Sequence, residues 1–122
     1  MEGKQKIMLV EDEAIIAVFL KNRLIASGFY VYGIITTGEE AVAFADNNSP
    51  DIILMDINLA GKLDGIEAAC AIISRKNIPI IFITSYPEGE IMERAMKINP
   101  VAYLKKPVEF KLIEKAIKSI QK

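Results

Sequence analysis

Asp51-Ile52-Ile53-Leu54-Met55-Asp56 is the stretch that decides how this chain folds. Four apolar residues run straight into a carboxylate, and Pro50 closes the stretch upstream. A short apolar run bounded by a turn signal reads as a buried strand of a parallel sheet. A charge inside such a strand is very costly unless paired, so Asp56 belongs at the strand's end, in a cleft. In open α/β sheets that carboxyl edge is where sites are built. Asp also starts turns readily, so Asp56 alone could simply cap the next loop. The other strand ends decide between the two.

Working outward, Ile7-Met8-Leu9-Val10 reads as the first strand and ends in Glu11-Asp12-Glu13. From Ala14 to Ser27 the pattern is helical, with Ile16, Leu20 and Leu24 on one face, and Gly28 stops it. Phe29 to Ile35, rich in β-branched and aromatic residues, is the second strand. Thr37-Gly38-Glu39-Glu40 has the form of a capping box and opens a helix to about Asp46. Beyond the central run, Asn58 to Asp64 is a loop. Gly65 to Lys76 is a helix with Ile66, Ala69, Ile72 and Ile73 inward. Ile78 to Ile83 is the fourth strand, with Pro79 tolerable only near its start. Glu88 to Lys97 is a helix, Val101 to Leu104 a short fifth strand, and Val108 to Ile120 a last helix. Its core face carries Phe110, Ile113, Ile117 and Ile120. Five strands alternating with five helices imply an α/β fold, a doubly wound parallel sheet with helices on both faces. Periodicity leaves the strand order open.

The 122 residues suit one domain, 1–122, with a real core. Hydrophobic content of 52% and charged content of 25% are globular values. A net charge of −1 supplies no global field for nucleic acid or membrane. The longest apolar run, Ala14 to Leu20, is too short to span a bilayer, and the N-terminus has no signal-peptide form. Cys70 is the only cysteine, which excludes an intrachain disulfide and points to a reducing, cytoplasmic setting. Lying among Ala68, Ala69, Ala71 and Ile72, it reads as a small core residue. The absence of histidine removes Ser-His-Asp and Cys-His catalysis and His-ligated zinc.

Taken together, the strand ends gather chemistry. Strand one ends at Glu11 and Asp12, strand three at Asp56, and strand four at Thr84 and Ser85. Strand five is followed by Lys105, Lys106 and Pro107. Three clustered carboxylates cannot all stay ionised unpaired. A hard cation resolves that, and Mg²⁺ suits a few carboxylates with waters and a phosphoryl oxygen. A carboxylate can accept a phosphoryl group, and a lysine and a hydroxyl can bind its remaining oxygens. No glycine-rich dinucleotide fingerprint or P-loop follows the first strand.

On these residues the chain resembles the receiver domain of two-component response regulators, across essentially its whole length. The resemblance implies a flavodoxin-like fold with strand order 2-1-3-4-5. It implies that Val10-Glu11-Asp12 carries the acidic pair that holds Mg²⁺ (Mn²⁺ being acceptable) and that Asp56 is the phosphoacceptor. Asn58 falls where the backbone carbonyl ligates the metal, Thr84 at the switch hydroxyl, with Ser85 as its small neighbour, and Tyr103 at the switch aromatic. Tyr103-Leu104-Lys105-Lys106-Pro107 places the essential lysine at Lys106. The Lys106–Pro107 peptide is expected to be cis, because Lys106 must turn back over the site while the chain leaves. The implied partners are a histidine kinase or phosphotransfer protein and a downstream protein bound by the face of helix four, strand five and helix five. A homodimer is compatible with this. Such a receiver assists its own phosphorylation and dephosphorylation and is no conventional turnover enzyme. No DNA-binding or enzymatic output domain is expected within the chain.

The chain departs from the family's usual Asp-x-x-Met-Pro-x-x-Asp-Gly after the acceptor. Ala60 replaces the proline, and one residue is inserted before Asp64-Gly65. The same loop supports a rival. Asp56, Asn58, Gly61, Asp64 and Glu67 fall at positions 1, 3, 6, 9 and 12 of an EF-hand loop. Position 5 is Ala60, and the preceding run is strand-like. A Mg²⁺- or Ca²⁺-binding module, or a phosphate sink or relay without its own output, is therefore the alternative. An Asp-nucleophile phosphatase would want an Asp where Asn58 stands.

Overall fold

In a computed structural model, which describes residues 4–85 and 88–120, the run into Asp56 forms β3 (Ile52–Asp56). All five of its residues are buried. It is flanked by β1 (Lys6–Val10) and β4 (Ile80–Thr84), with β2 (Tyr30–Ile35) and β5 (Ala102–Lys105) at the edges. Every pairing is parallel and the order is 2-1-3-4-5, as expected. The crossovers are α1 (Ala14–Ala26), α2 (Gly38–Asn47), α3 (Gly65–Ile73), α4 (Glu90–Met96) and α5 (Phe110–Ile120).

Alternation along the strands divides the core in two. Met8, Val10, Ile53, Met55 and Phe82 face α2, α3 and α4. Ile7, Leu9, Ile52, Leu54, Ile81 and Ile83 face α1 and α5. In β2 the alternation is broken. The register runs Ile7 to Val31 but Leu9 to Ile34, so β2 carries one extra residue between Val31 and Ile34. Val31 and Ile35, four apart, would share a face in a regular strand; here they lie in opposite halves of the core.

Several boundaries differ from the sequence reading. Helix α4 begins at Glu90 rather than Glu88, because Gly89 has φ of +89° and cannot extend a right-handed helix. Helix α3 stops at Ile73 rather than Lys76. The chain there tightens into a turn, with the Arg75 N–H and Lys76 N–H both donating to the Ile72 carbonyl. The Lys76 ammonium reaches across to the carbonyls of Ala45 and Asn48, both at 2.8 Å, and so caps the end of α2. Strand β4 starts at Ile80, with Pro79 just outside it offering its carbonyl to the Ile53 N–H. Cys70 is exposed, contrary to the core reading. Ile66, Ala69 and Ile72 set the inward face of α3, and Cys70 falls on its outer face; small size alone did not place it inside.

Gly65 lets α3 start against β3. A Cβ there would stand 2.1 Å from the Asp56 carbonyl oxygen and 2.7 Å from the Ile57 Cα. Gly65→Ala should therefore destabilise by about 2 kcal/mol or more, as overpacking against backbone does. Gly33→Ala, with nothing within 4 Å of its Cβ, should change stability by less than about 1 kcal/mol. Urea midpoints compare the two, and equal effects would mean the α3–β3 contact is slack.

Candidate functional site

The alternation that builds the core also builds the site. Continued one residue past β1, it turns Glu11 to the α1/α5 face, and it does the same for Asp56 at the end of β3. Ser85 after β4 and Lys106 after β5 have the same parity. The backbone holds them in place. The Glu11 N–H donates to the Ile35 carbonyl at 2.8 Å, and the Lys106 N–H to the Thr84 carbonyl at 2.8 Å. The Lys106–Pro107 peptide is cis, as expected.

The Lys106 ammonium sits among carboxylates. It lies 3.3 Å from Asp56 Oδ2, 3.2 Å from Glu11 Oε1 and 3.0 Å from Glu13 Oε1. Asp56 Oδ1 accepts the Asn58 N–H at 3.2 Å, and Glu11 Oε2 accepts the Glu13 N–H at 3.1 Å. Asp12 is exposed and its Oδ2 accepts the Ala60 N–H at 3.1 Å. Asp12, Glu13, Asp56, Asn58, Ser85 and Lys106 line a cleft of about 270 Å³. Glu11, Asp56 and Thr84 are the buried polar side chains among the described residues.

Burial raises the pKa of Glu11 to about 7, and the neighbouring Asp56 charge adds to the effect. Burial also raises Asp56, against the pull of Lys106. For Lys106 burial works downward. The hydrogen bond to Glu13 and the charges of Asp56 and Glu11 outweigh it, so the ammonium is held above the ordinary lysine value. Glu11, Asp12 and Asp56 each offer an oxygen, all within 4.8 Å of one another. An all-oxygen donor set, short of positive charge and open to solvent at Asp12, fits a hard divalent cation such as Mg²⁺.

Asp64 and Glu67, needed by the calcium reading, are engaged in each other's support. Asp64 accepts the Glu67 N–H at 2.8 Å and Glu67 accepts the Asp64 N–H at 2.9 Å, a capping box that opens α3. Asp64 also pairs with Arg94 of α4 at 3.2 Å. Thr84 has the opposite parity to Ser85 and lies on the α2–α4 face with Tyr103. The Tyr103 ring is half-buried, edge-on to Phe82 at 6.3 Å between centroids. Burial raises its pKa, opposed by a hydrogen bond to Thr84.

Glu13 was not anticipated as a site residue. As the N-cap residue of α1 it makes no side-chain capping bond, and its carboxylate goes to Lys106 instead. Its signal was present: glutamate is a poor N-cap, and this one follows two other acids.

Between pH 4.5, the ordinary value for Glu11, and about 7, the unfolded chain has released a proton that the folded chain still holds. Stability from this group is therefore present at low pH and lost as pH rises through that window. Asp56 acts in the same direction. In EDTA, the stability of the wild type relative to Glu11→Gln should fall from about pH 5 to about pH 7, and Mg²⁺ should reduce that fall. A flat difference would mean that Glu11 ionises normally.

The family model described as response regulator receiver domain matches residues 7–118. The chain is 35% identical over 103 residues to the transcriptional regulatory protein PdtaR of Mycobacterium tuberculosis, covering 84% of this chain and 50% of PdtaR. It thus spans about half the length of the curated relatives it matches. Among solved structures, the signal receiver domain of a modulated diguanylate cyclase from Desulfovibrio desulfuricans superposes with a TM-score of 0.90 at 40% identity, covering 96% of this chain and 93% of that one. The receiver domain of a sensor histidine kinase from Pseudomonas aeruginosa, solved with a magnesium ion coordinated in its active-site cleft, gives a TM-score of 0.86 at 28% identity, covering 96% and 97%. The match over residues 7–118, the sheet order and the acidic cleft agree: the chain belongs to the response regulator receiver domain family.

Proposed function

We propose that this chain accepts a phosphoryl group on Asp56 from the phosphohistidine of a histidine kinase or phosphotransfer protein, in the cytoplasm. The observation that carries the reading is the Lys106 ammonium seated 3.3 Å from Asp56 Oδ2, beside two more carboxylates that fit a divalent cation. An Asp56 oxygen attacks phosphorus, the O–P bond forms and the P–N bond breaks. The electron pair returns to an imidazole whose other nitrogen carries a proton, so neutral imidazole leaves. Glu11, Asp12, Asp56 and the Asn58 carbonyl would hold Mg²⁺ or Mn²⁺, which supplies positive charge for the phosphoryl oxygens. Lys106 binds one of those oxygens, and its raised pKa keeps it an ammonium throughout.

The donor has an apolar surface to meet. Ile15, Val18 and Phe19 stand exposed on α1, and a groove of about 520 Å³ runs from Ile15 and Phe19 past Ser85 to Lys106, Pro107 and Val108. The output is the α4–β5–α5 face. On phosphorylation the Thr84 hydroxyl leaves Tyr103 for the new phosphoryl acceptor, the ring settles inward and α4 resets with it. The phosphoryl group shifts this equilibrium only by its differential interaction with the two states.

Acetyl phosphate should add one phosphoryl group by intact mass, only with Mg²⁺ or Mn²⁺, and none to Asp56→Asn; labelling that persists in Asp56→Asn sinks the assignment. Asp12→Ala should weaken Mg²⁺ uptake about tenfold or more, and Glu13→Ala much less, since the Glu13 carboxylate goes to Lys106 and is not one of the three metal-competent carboxylates, and its backbone N–H to Glu11 survives the change. Beryllofluoride should shift NMR signals from the Asp56 cleft through Thr84 to Tyr103 and α4. Shifts confined to the neighbours of Asp56 would instead support a phosphate sink or relay.

A further inference from the structure

The loop between β3 and α3 is where this chain departs from the family's usual spacing. Two anchors fix its distal half. The Lys62 N–H donates to Glu39 Oε2 at 2.7 Å, a short charge-assisted bond. Ala60 forms a lone parallel bridge with Thr37, the residue before α2. The capping of α2 does not need Glu39, because Thr37 accepts the Glu40 N–H at 3.1 Å. Glu39 instead leans out of the first turn of α2 to hold the loop. The Lys62 N–H, its own N–H and the Leu63 N–H hold its carboxyl below the usual glutamate range, although it is exposed.

Two glycines make the approach tight. A Cβ on Gly61 would lie 2.6 Å from Glu39 Oε1, and Gly61 has φ of +94°. A Cβ on Gly38 would lie 2.9 Å from both the Leu63 Cβ and the Leu63 carbonyl oxygen. The loop's other attachment is to the site itself: two residues before Lys62, the Ala60 N–H donates to Asp12 Oδ2 at 3.1 Å. Asp12 is the exposed member of the carboxylate group, so this backbone bond is what orients it.

We infer that Glu39 is a positioning residue for the cation site: by holding the Lys62 N–H it fixes the inserted loop so that the Ala60 N–H orients the Asp12 carboxylate. The inference rests on the proposed cation binding at Glu11, Asp12 and Asp56. Glu39 touches neither cation nor phosphoryl group.

Two measurements on the whole chain test this. Amide hydrogen exchange in EDTA should show Lys62 protected in the wild type, unprotected in Glu39→Ala and largely protected in Glu39→Gln, which keeps the acceptor. Titration calorimetry with Mg²⁺ alone should show Kd raised about tenfold in Glu39→Ala, the low end for a group that orients a metal ligand, and about twofold or less in Glu39→Gln. Unfolding midpoints should barely move, since Glu39 is exposed. A Lys62 amide unprotected in the wild type overturns the inference. So does an unchanged Mg²⁺ affinity in Glu39→Ala after protection is lost; in that case the cation site stands and only the role of Glu39 fails. Absence of Mg²⁺ uptake by the wild type overturns the cation site and, with it, the inference.

Discussion

One ammonium among three carboxylates governs the carboxyl edge of this sheet. Lys106 touches Glu11, Glu13 and Asp56, and Glu11 and Asp56 are almost wholly out of water. A single positive charge cannot balance three negative ones there, and burial, with the Asp56 charge adding to it, raises the pKa of Glu11. The sheet imposes this crowding, because β1, β3 and β5 deliver the residues at or just past their ends to one place whatever charge those residues carry. On the proposed reading the deficit is what gives the site its affinity for a cation, which then draws in an anionic donor. The same crowding would be a defect in a protein with no use for it.

Much of this was legible in the sequence because strand ends are legible. Apolar runs of four or five residues stop at a charge or a hydroxyl, and that boundary fixed Glu11, Asp56 and Thr84 to within a residue. Lys106 was placed by its neighbour Pro107. The loop contacts were not legible. Nothing in the spacing of Glu39 and Lys62 says that a side chain from the first turn of a helix meets a backbone N–H of a distant loop, because the loop has no periodic pattern. Cys70 was misplaced for a related reason: in a helix of small apolar residues, composition does not distinguish inner from outer faces. The extra residue in β2 also escaped, since Val31 and Ile35 look like ordinary alternation.

Strand parity divides labour as well as core. Glu11, Asp56, Ser85 and Lys106 belong to the α1/α5 side, whereas Thr84 and Tyr103 belong to the α2–α4 side. Thr84 is the last residue of β4, and its carbonyl is already committed to the Lys106 N–H. Its side chain is buried on the α2–α4 face with Tyr103, one residue before the cleft residue Ser85. On the proposed reading, phosphoryl chemistry on one side of the sheet and signalling on the other meet at Thr84.

Helix α4 has seven residues, and of these only Ala95 is buried. Its Arg94 is tied to Asp64 across solvent, an ion pair of small energetic weight. By contrast α5 seats Phe110, Ile113 and Ile117 in the core. Local opening free energy scales with such anchoring, so α4 belongs to the least cooperative part of the molecule. A helix held by so few buried side chains can be redirected at small cost to the remainder. Its amides should be among the first to exchange with solvent, while those of β1 and β3 exchange only on global unfolding. The fold thus keeps a soft segment on a hard frame, and the softness is inherited from a sequence that gives α4 so little to bury.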